Sequence, residues 1–194
     1  DSLIDAGGTA IFSEPVELVG CEDALASRAS KAEIGQQIRA LTKRYTHDAA
    51  AAGVDLVGVN PTADNLAGGL TTIEEKSLGA VSKSGTRPLQ GVLAFAETPK
   101  APGVWLMDAP AAAVENLTAL SAGGCQAVLF SSGSVNPSGN PIAPTVKICA
   151  NPRSAQSMRE HVDVDLSDVL TEGLPLENAL DRAQETLMAI LLDR

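Results

Sequence analysis

Aromatic side chains are nearly absent from this sequence, 3% of residues against 44% apolar overall. A core without rings must be filled by Ala, Val, Leu and Ile, which suits layered helix-on-sheet packing better than a β-sandwich. Positive charge is also scarce: 14 Lys and Arg stand against 24 Asp and Glu, a net charge of -10. That balance excludes the clustered cations with which proteins meet nucleic acid or an anionic membrane. Long apolar runs are missing, since no stretch approaches the roughly 20 residues that span a bilayer, and residues 1–6 lack the basic-then-apolar pattern of an export signal. Cys21, Cys125 and Cys149 are odd in number and widely spaced, with no Cys-x-x-Cys pair. Neither a disulfide framework nor a structural zinc site is expected, and the implied compartment is the reducing cytoplasm. Only His47 and His161 can serve as imidazoles, and both fall in helical contexts.

What is present is punctuation. Short apolar runs bounded by Gly and Pro alternate with longer segments of helical period, the pattern of βα units. Strands are predicted at residues 9–13, 103–107, 127–130 and 145–149, with a weaker one at 54–59. Helices are predicted at 22–29, 31–52, 73–82, 89–96, 112–122, 155–161 and 176–192. Ser30 with Glu33 reads as a capping box, and Gly53, Gly85 and Gly123-Gly124 read as helix stops. The expected fold is α/β: a three-layer, Rossmann-like domain with a mostly parallel sheet of four to six strands and helices on both faces. The 194 residues suit one domain, 1–194. The start, Asp1-Ser2-Leu3-Ile4, reads as a helix cut in mid-pattern, so a longer protein with an upstream part is expected.

Three segments carry chemistry. In Asn65-Leu66-Ala67-Gly68-Gly69-Leu70-Thr71-Thr72-Ile73-Glu74-Glu75-Lys76-Ser77, two glycines precede a helix start, where backbone amides and the macrodipole favour an anion. Two readings stay open: Thr72 with Glu75 also fits a capping box. The second segment places Glu14, Glu17 and Glu22 directly after the first strand, where carboxylates can act as acid and base or hold a hard cation. Glu22 with Asp23 equally well complements a helix dipole. The third, Ser131-Ser132-Gly133 through Gly139-Asn140-Pro141 to Lys147, is a polar loop followed by a lysine inside an apolar strand. Ligands of open parallel sheets sit beyond such strand ends. No Walker loop, G-x-G-x-x-G or G-x-S-x-G occurs.

These segments together resemble the C-terminal part of the altronate and galactarate dehydratase family. The resemblance rests on Gly7-Gly8-Thr9-Ala10 with Ser13-Glu14, on Asn60-Pro61 with Asn65, Ala67 to Thr72 and Glu75 to Gly79, and on Leu129 to Gly133 with Gly139 to Lys147. It implies a hydro-lyase that removes water from a sugar acid to give a 2-keto-3-deoxy acid, with a divalent metal, Fe2+, whose ligands are not identified. By the same resemblance Glu14, Glu75, Lys76 and Lys147 are the candidate acid, base and cations. Asn60, Asn65, Gly68, Gly69, Thr71, Thr72, Ser131, Ser132, Gly133 and Asn140 are the candidate substrate contacts. The implied partners are the upstream domains of the same enzyme and further copies of the chain.

Three positions depart from the family pattern. Leu66 stands where a lysine is usual, Ser134-Val135 where Arg-Gly is usual, and Pro110-Ala111-Ala112-Ala113 replaces a Pro-Gly-Asn-Asp-type stretch. Losing two cations from substrate loops opens the alternative of a sulfolactate sulfo-lyase large subunit, which expels sulfite, and that of a non-catalytic substrate-binding or assembly domain.

Overall fold

The computed structural model describes residues 1–56, 60–67 and 69–192. Its elements run α1 (Ser2–Asp5), β1 (Thr9–Phe12), a 3-10 turn (Pro15–Leu18), α2 (Glu22–Ala26), α3 (Ala32–Ala51), α4 (Ala63–Ala67), α5 (Ile73–Lys83), β2 (Leu89–Leu93) and β3 (Gly103–Met107). They continue with α6 (Ala113–Ala122), β4 (Val128–Ser131), β5 (Thr145–Cys149), α7 (Pro152–Ser157), a 3-10 turn (Arg159–His161), β6 (Val164–Asp165), α8 (Ser167–Thr171) and α9 (Leu176–Leu192). Two compact units result, Asp1–Gly123 and Gly124–Arg194.

The α/β class follows the sequence reading. The six strands are parallel throughout and form two sheets of three in place of one, in the orders β1-β3-β2 and β4-β5-β6.

In the first unit, helix α3 turns Ile34, Ile38 and Leu41 onto Leu89, Val104 and Leu106 of the sheet, with Leu18 and Leu25 closing the cluster. The i, i+4, i+7 spacing of those α3 residues lays them on one face, and each fully buried aliphatic side chain contributes about 1.5–3 kcal/mol. In the second unit a smaller cluster joins Val135, Cys149 and Ala155, flanked by Met158 and Val162.

Two local expectations are corrected. Residues 89–96 read as helix, but Leu89–Leu93 is an edge strand with alternating burial, followed by a turn in which Ala96 takes φ 62. The reason is tertiary: Leu89, Gly91 and Leu93 all face the core, and a Cβ at Gly91 would lie 2.6 Å from Cζ3 of Trp105 on β3. Ser30 does not cap α3. Its amide bonds to the carbonyl of Leu89 at 2.9 Å, and the helix starts one residue later with Lys31 as N-cap. The weaker strand at 54–59 is not formed at 54–56, and its remainder lies outside the described residues. Of the proposed stops, Gly53, Gly85 and Gly124 take positive φ, whereas Gly123 keeps φ -71. Helix 155–161 begins earlier, at Pro152, because Asn151 accepts from the amides of Arg153 and Ser154.

Candidate functional site

Glu14 follows β1 directly and takes a left-handed backbone, φ 66 and ψ 59. A non-glycine residue in that region carries strain of order 1 kcal/mol or more. The conformation turns the chain sharply from the strand into the Pro15–Leu18 turn, where residues three apart lie on one face. Glu14 and Glu17 therefore stand close, and α5 lies against them. Ser77 Oγ donates to the Val19 carbonyl at 2.8 Å, and Cys21 Sγ donates to the Glu74 carbonyl at 3.5 Å, which clamps helix to turn.

The clamp delivers Lys76. Its ammonium lies 3.0 Å from Glu17 Oε2 and also donates to Oδ1 of the buried Asn60. The two charged side chains are 22% and 19% exposed, so the pair is screened far less than a surface one. Burial pushes the Glu14 carboxyl above the ordinary glutamate value, and the nearby Glu17 charge pushes it the same way. Lys83 and Lys76 pull it back down. Lys76 and Lys83, seven apart on α5, share one face of that helix. The arrangement sets a carboxylate of raised basicity near a fixed cation, a pairing suited to α-proton abstraction next to a carboxylate.

Other candidates are held differently. The Glu75 carboxylate accepts from the amide and the hydroxyl of Thr71, both at 2.8 Å, while Thr72 Oγ1 accepts from the Glu75 amide at 3.1 Å. Those bonds lower the Glu75 pKa and make the trio an N-cap. Asn65 is likewise turned inward, exchanging hydrogen bonds with Thr62 across the start of α4. Gly69 closes that helix with φ 104, and Gly68 lies outside the described residues.

Ser131, Ser132, Gly133, Asn140 and Lys147 belong to the second unit. Ser131 ends β4, and Ser132 Oγ accepts from the Ser134 amide at 3.3 Å. Asn140 Oδ1 accepts from the amides of Ile142 at 2.8 Å and Ala143 at 3.1 Å. Lys147 is buried in the central strand β5.

Residue patterns understated two groups. Glu17, seen only as part of an acidic run, proves to be the lysine's partner, and the period-3 spacing from Glu14 was the available signal. Asp108, immediately after β3, accepts from Arg44 Nη2 at 2.7 Å and from the Tyr45 hydroxyl at 2.9 Å. Desolvation, then that hydrogen bond, push the Tyr45 pKa up to about 12, keeping the phenol a donor. Arg44 and Asp108 line an open groove of about 400 Å3 between α3 and the ends of β2 and β3, together with Leu41, Leu93 and Ala94 among others. Its place was foreseeable from strand order alone, since ligands gather at carboxyl ends of parallel strands.

Among the described residues no three His, Cys, Asp or Glu come together to hold a metal ion. The Lys76 ammonium already occupies the position between the Glu17 and Asn60 oxygens that a hard cation would take. The described residues thus do not by themselves fit a resident divalent metal. No helix among them is long and apolar enough to cross a membrane.

The sequence matches the family model "D-galactarate/Altronate dehydratase, C-terminal" over residues 1–192. The chain belongs to this family. Within it, the chain is 42% identical over 194 residues to the (2R)-sulfolactate sulfo-lyase subunit beta of Chromohalobacter salexigens, covering 97% of this chain and 49% of that protein. It is 36% identical over 168 residues to the altronate dehydratase of Bacillus subtilis, covering 84% and 32% respectively. It is 32% identical over 193 residues to the altronate dehydratase of Escherichia coli, covering 97% and 37%. The chain therefore spans half or less of the length of these dehydratase-family relatives.

Proposed function

We propose that this chain is the C-terminal part of a lyase that removes a β-substituent from a small hydroxy acid after abstraction of the α-proton. The observation that carries the reading is Glu14: a half-buried carboxyl of raised pKa at the end of β1, beside the Lys76 cation. In the proposed reaction the Glu14 carboxylate takes up the α-proton and returns it to the departing β-hydroxyl, which leaves as water, and Lys76, fixed by Glu17 and Asn60, stabilises charge that develops on the substrate carboxylate as the enediolate forms. Glu75 is assigned to the helix cap on the strength of its bonds to Thr71.

Water leaving from a sugar acid, to give a 2-keto-3-deoxy acid, is the reading that the dehydratase relatives support. A second reading, sulfite leaving from sulfolactate, is favoured by the 42% identity to a sulfo-lyase subunit over nearly the whole chain. Leu66, 51% exposed, and the exposed Ser134 leave two exposed positions without the cations usual in the dehydratase pattern, which sets this chain apart from that pattern without selecting the leaving group. The divalent metal implied by resemblance, Fe2+, is assigned ligands in the upstream part of a longer polypeptide, and no step here passes through it. Assembly with those upstream domains and with further copies of the chain, in the cytoplasm, completes the proposal; the three free cysteines are in keeping with it.

The test is a screen of the natural full-length protein, supplied with ferrous iron, against altronate, galactarate, other sugar acids and sulfolactate. Keto-acid formation without sulfite supports the first reading, and sulfite release supports the second. Failure to process any of them removes the lyase proposal.

A further inference from the structure

Lys147 is a buried and poorly compensated charge in the second unit. It is 9% exposed in the middle of β5, the strand with neighbours on both sides. An ammonium carries three donors, and among the described residues Nζ has one acceptor, the Thr145 carbonyl at 3.4 Å, at the long limit for a hydrogen bond. Among the described residues no carboxylate pairs with it; the nearby Asp163 spends its Oδ2 on the Lys147 backbone amide at 2.7 Å. A buried cation with so few partners is costly unless an anion completes it.

The surroundings of Nζ suit a small anion. Side chains alternate along a strand, so Lys147 shares a face with Thr145 and Cys149. Cys149 on that face packs against Val135, which brings the polar loop following β4 over it. Val135 is buried there at φ 56, a conformation that β-branched residues rarely adopt, so packing holds the loop in place. The loop passes the ammonium at Gly139: a Cβ built on Gly139 would lie 3.9 Å from Lys147 Nζ, in ordinary van der Waals contact, and would meet no other heavy atom within 4 Å beyond its chain neighbours. The absence of a side chain keeps the approach to Nζ open.

We infer that Lys147, beneath the loop at Gly139, forms a binding site for the oxyanion head of a small acid, a carboxylate or a sulfonate. The site rests on the lyase reading only for the identity of the acid turned over, not for the binding itself.

The experiment observes lysine side-chain ammonium and adjacent methylene resonances of the 194-residue chain by NMR, titrating with glycerate, methanesulfonate and, as a control for ionic strength, chloride. A saturable shift of the Lys147 signals with glycerate places a carboxylate in the site, and one with methanesulfonate places a sulfonate there. Either shift is expected to be absent in Gly139→Val, whose side chain closes the approach, with the amide spectrum otherwise retained. Calorimetry on Lys147→Met is expected to show binding weaker by about tenfold to a hundredfold, the range for loss of a charged hydrogen bond. If Lys147→Met does not fold, the wild-type and Gly139→Val titrations decide. Equal shifts with all three anions, no saturable shift with any, or unchanged affinity in Lys147→Met overturn the inference. Acid bound without turnover in the full-length protein leaves the site standing and removes the lyase reading. Turnover with unaltered acid affinity in Lys147→Met removes the site alone.

Discussion

Truncating Glu17 tests whether the Lys76 pair organises the first unit. The two charges are 3.0 Å apart, and at an effective dielectric of about 20 their gross attraction is about 5–6 kcal/mol. Desolvation of both groups and the loss of side-chain freedom offset most of it. Exposed pairs contribute about 0–1 kcal/mol, and removing one partner of a fully buried pair costs about 3–5 kcal/mol. With side chains 22% and 19% exposed, this pair falls between those limits, and Glu17→Ala should cost about 2 kcal/mol. The loss also leaves Lys76 with Asn60 as its remaining partner among the described residues. Urea unfolding followed by fluorescence reads the first unit specifically, because Trp105 is the only tryptophan in the chain and lies on β3. For a urea slope of about 1–3 kcal/mol/M, the midpoint should fall by about 1 M. In a double-mutant cycle with Lys76→Met the two costs should be non-additive by about 1–2 kcal/mol. An unchanged midpoint, or strict additivity, would refute the claim that this pair adds to the stability of the first unit.

Glu14→Gln should alter the pH dependence of stability. Because the folded Glu14 pKa is raised, the native state binds this proton more tightly than the unfolded chain, so stability falls as pH rises from the ordinary value of 4.5 through the raised one. Urea midpoints measured across that window should decline less steeply in the variant; parallel profiles would contradict the cause assigned. Thr72→Ala should destabilise by about 1 kcal/mol through loss of the α5 cap, and Glu75→Gln should leave turnover of the full-length enzyme largely intact; a large fall in kcat with Glu75→Gln would return that residue to the chemistry. Gly91→Ala should cost about 1–3 kcal/mol by overpacking Trp105, with a shift in its emission, and a variant as stable as wild type would disprove the 2.6 Å clash.

Much of the candidate site's cast, as proposed, comes from residues that stand out in the sequence. Glu14, Lys76 and Lys147 stand out as charges beside or within strands and helix starts, and the Thr72–Glu75 cap is readable from spacing. What those residues touch was not legible. Glu75 looks as reactive as Glu14 in sequence, yet Thr71 holds it as a cap, whereas desolvation raises the pKa of Glu14. Lys76 acquires its partners from residues 16 and 59 positions away.

By itself the sequence determined the α/β class, most helices and the family, because periodicity, caps and long motifs are local properties written along the chain. Tertiary structure decided that Leu89–Leu93 is a strand, since its Gly91 is fitted to Trp105 and its alternation only has meaning against a core. It also decided the division into two sheets, the Glu17–Lys76–Asn60 grouping and the poorly compensated ammonium of Lys147. Each depends on which distant residues share a low-dielectric space, and hydrogen bonds and charges take their strength from that sharing.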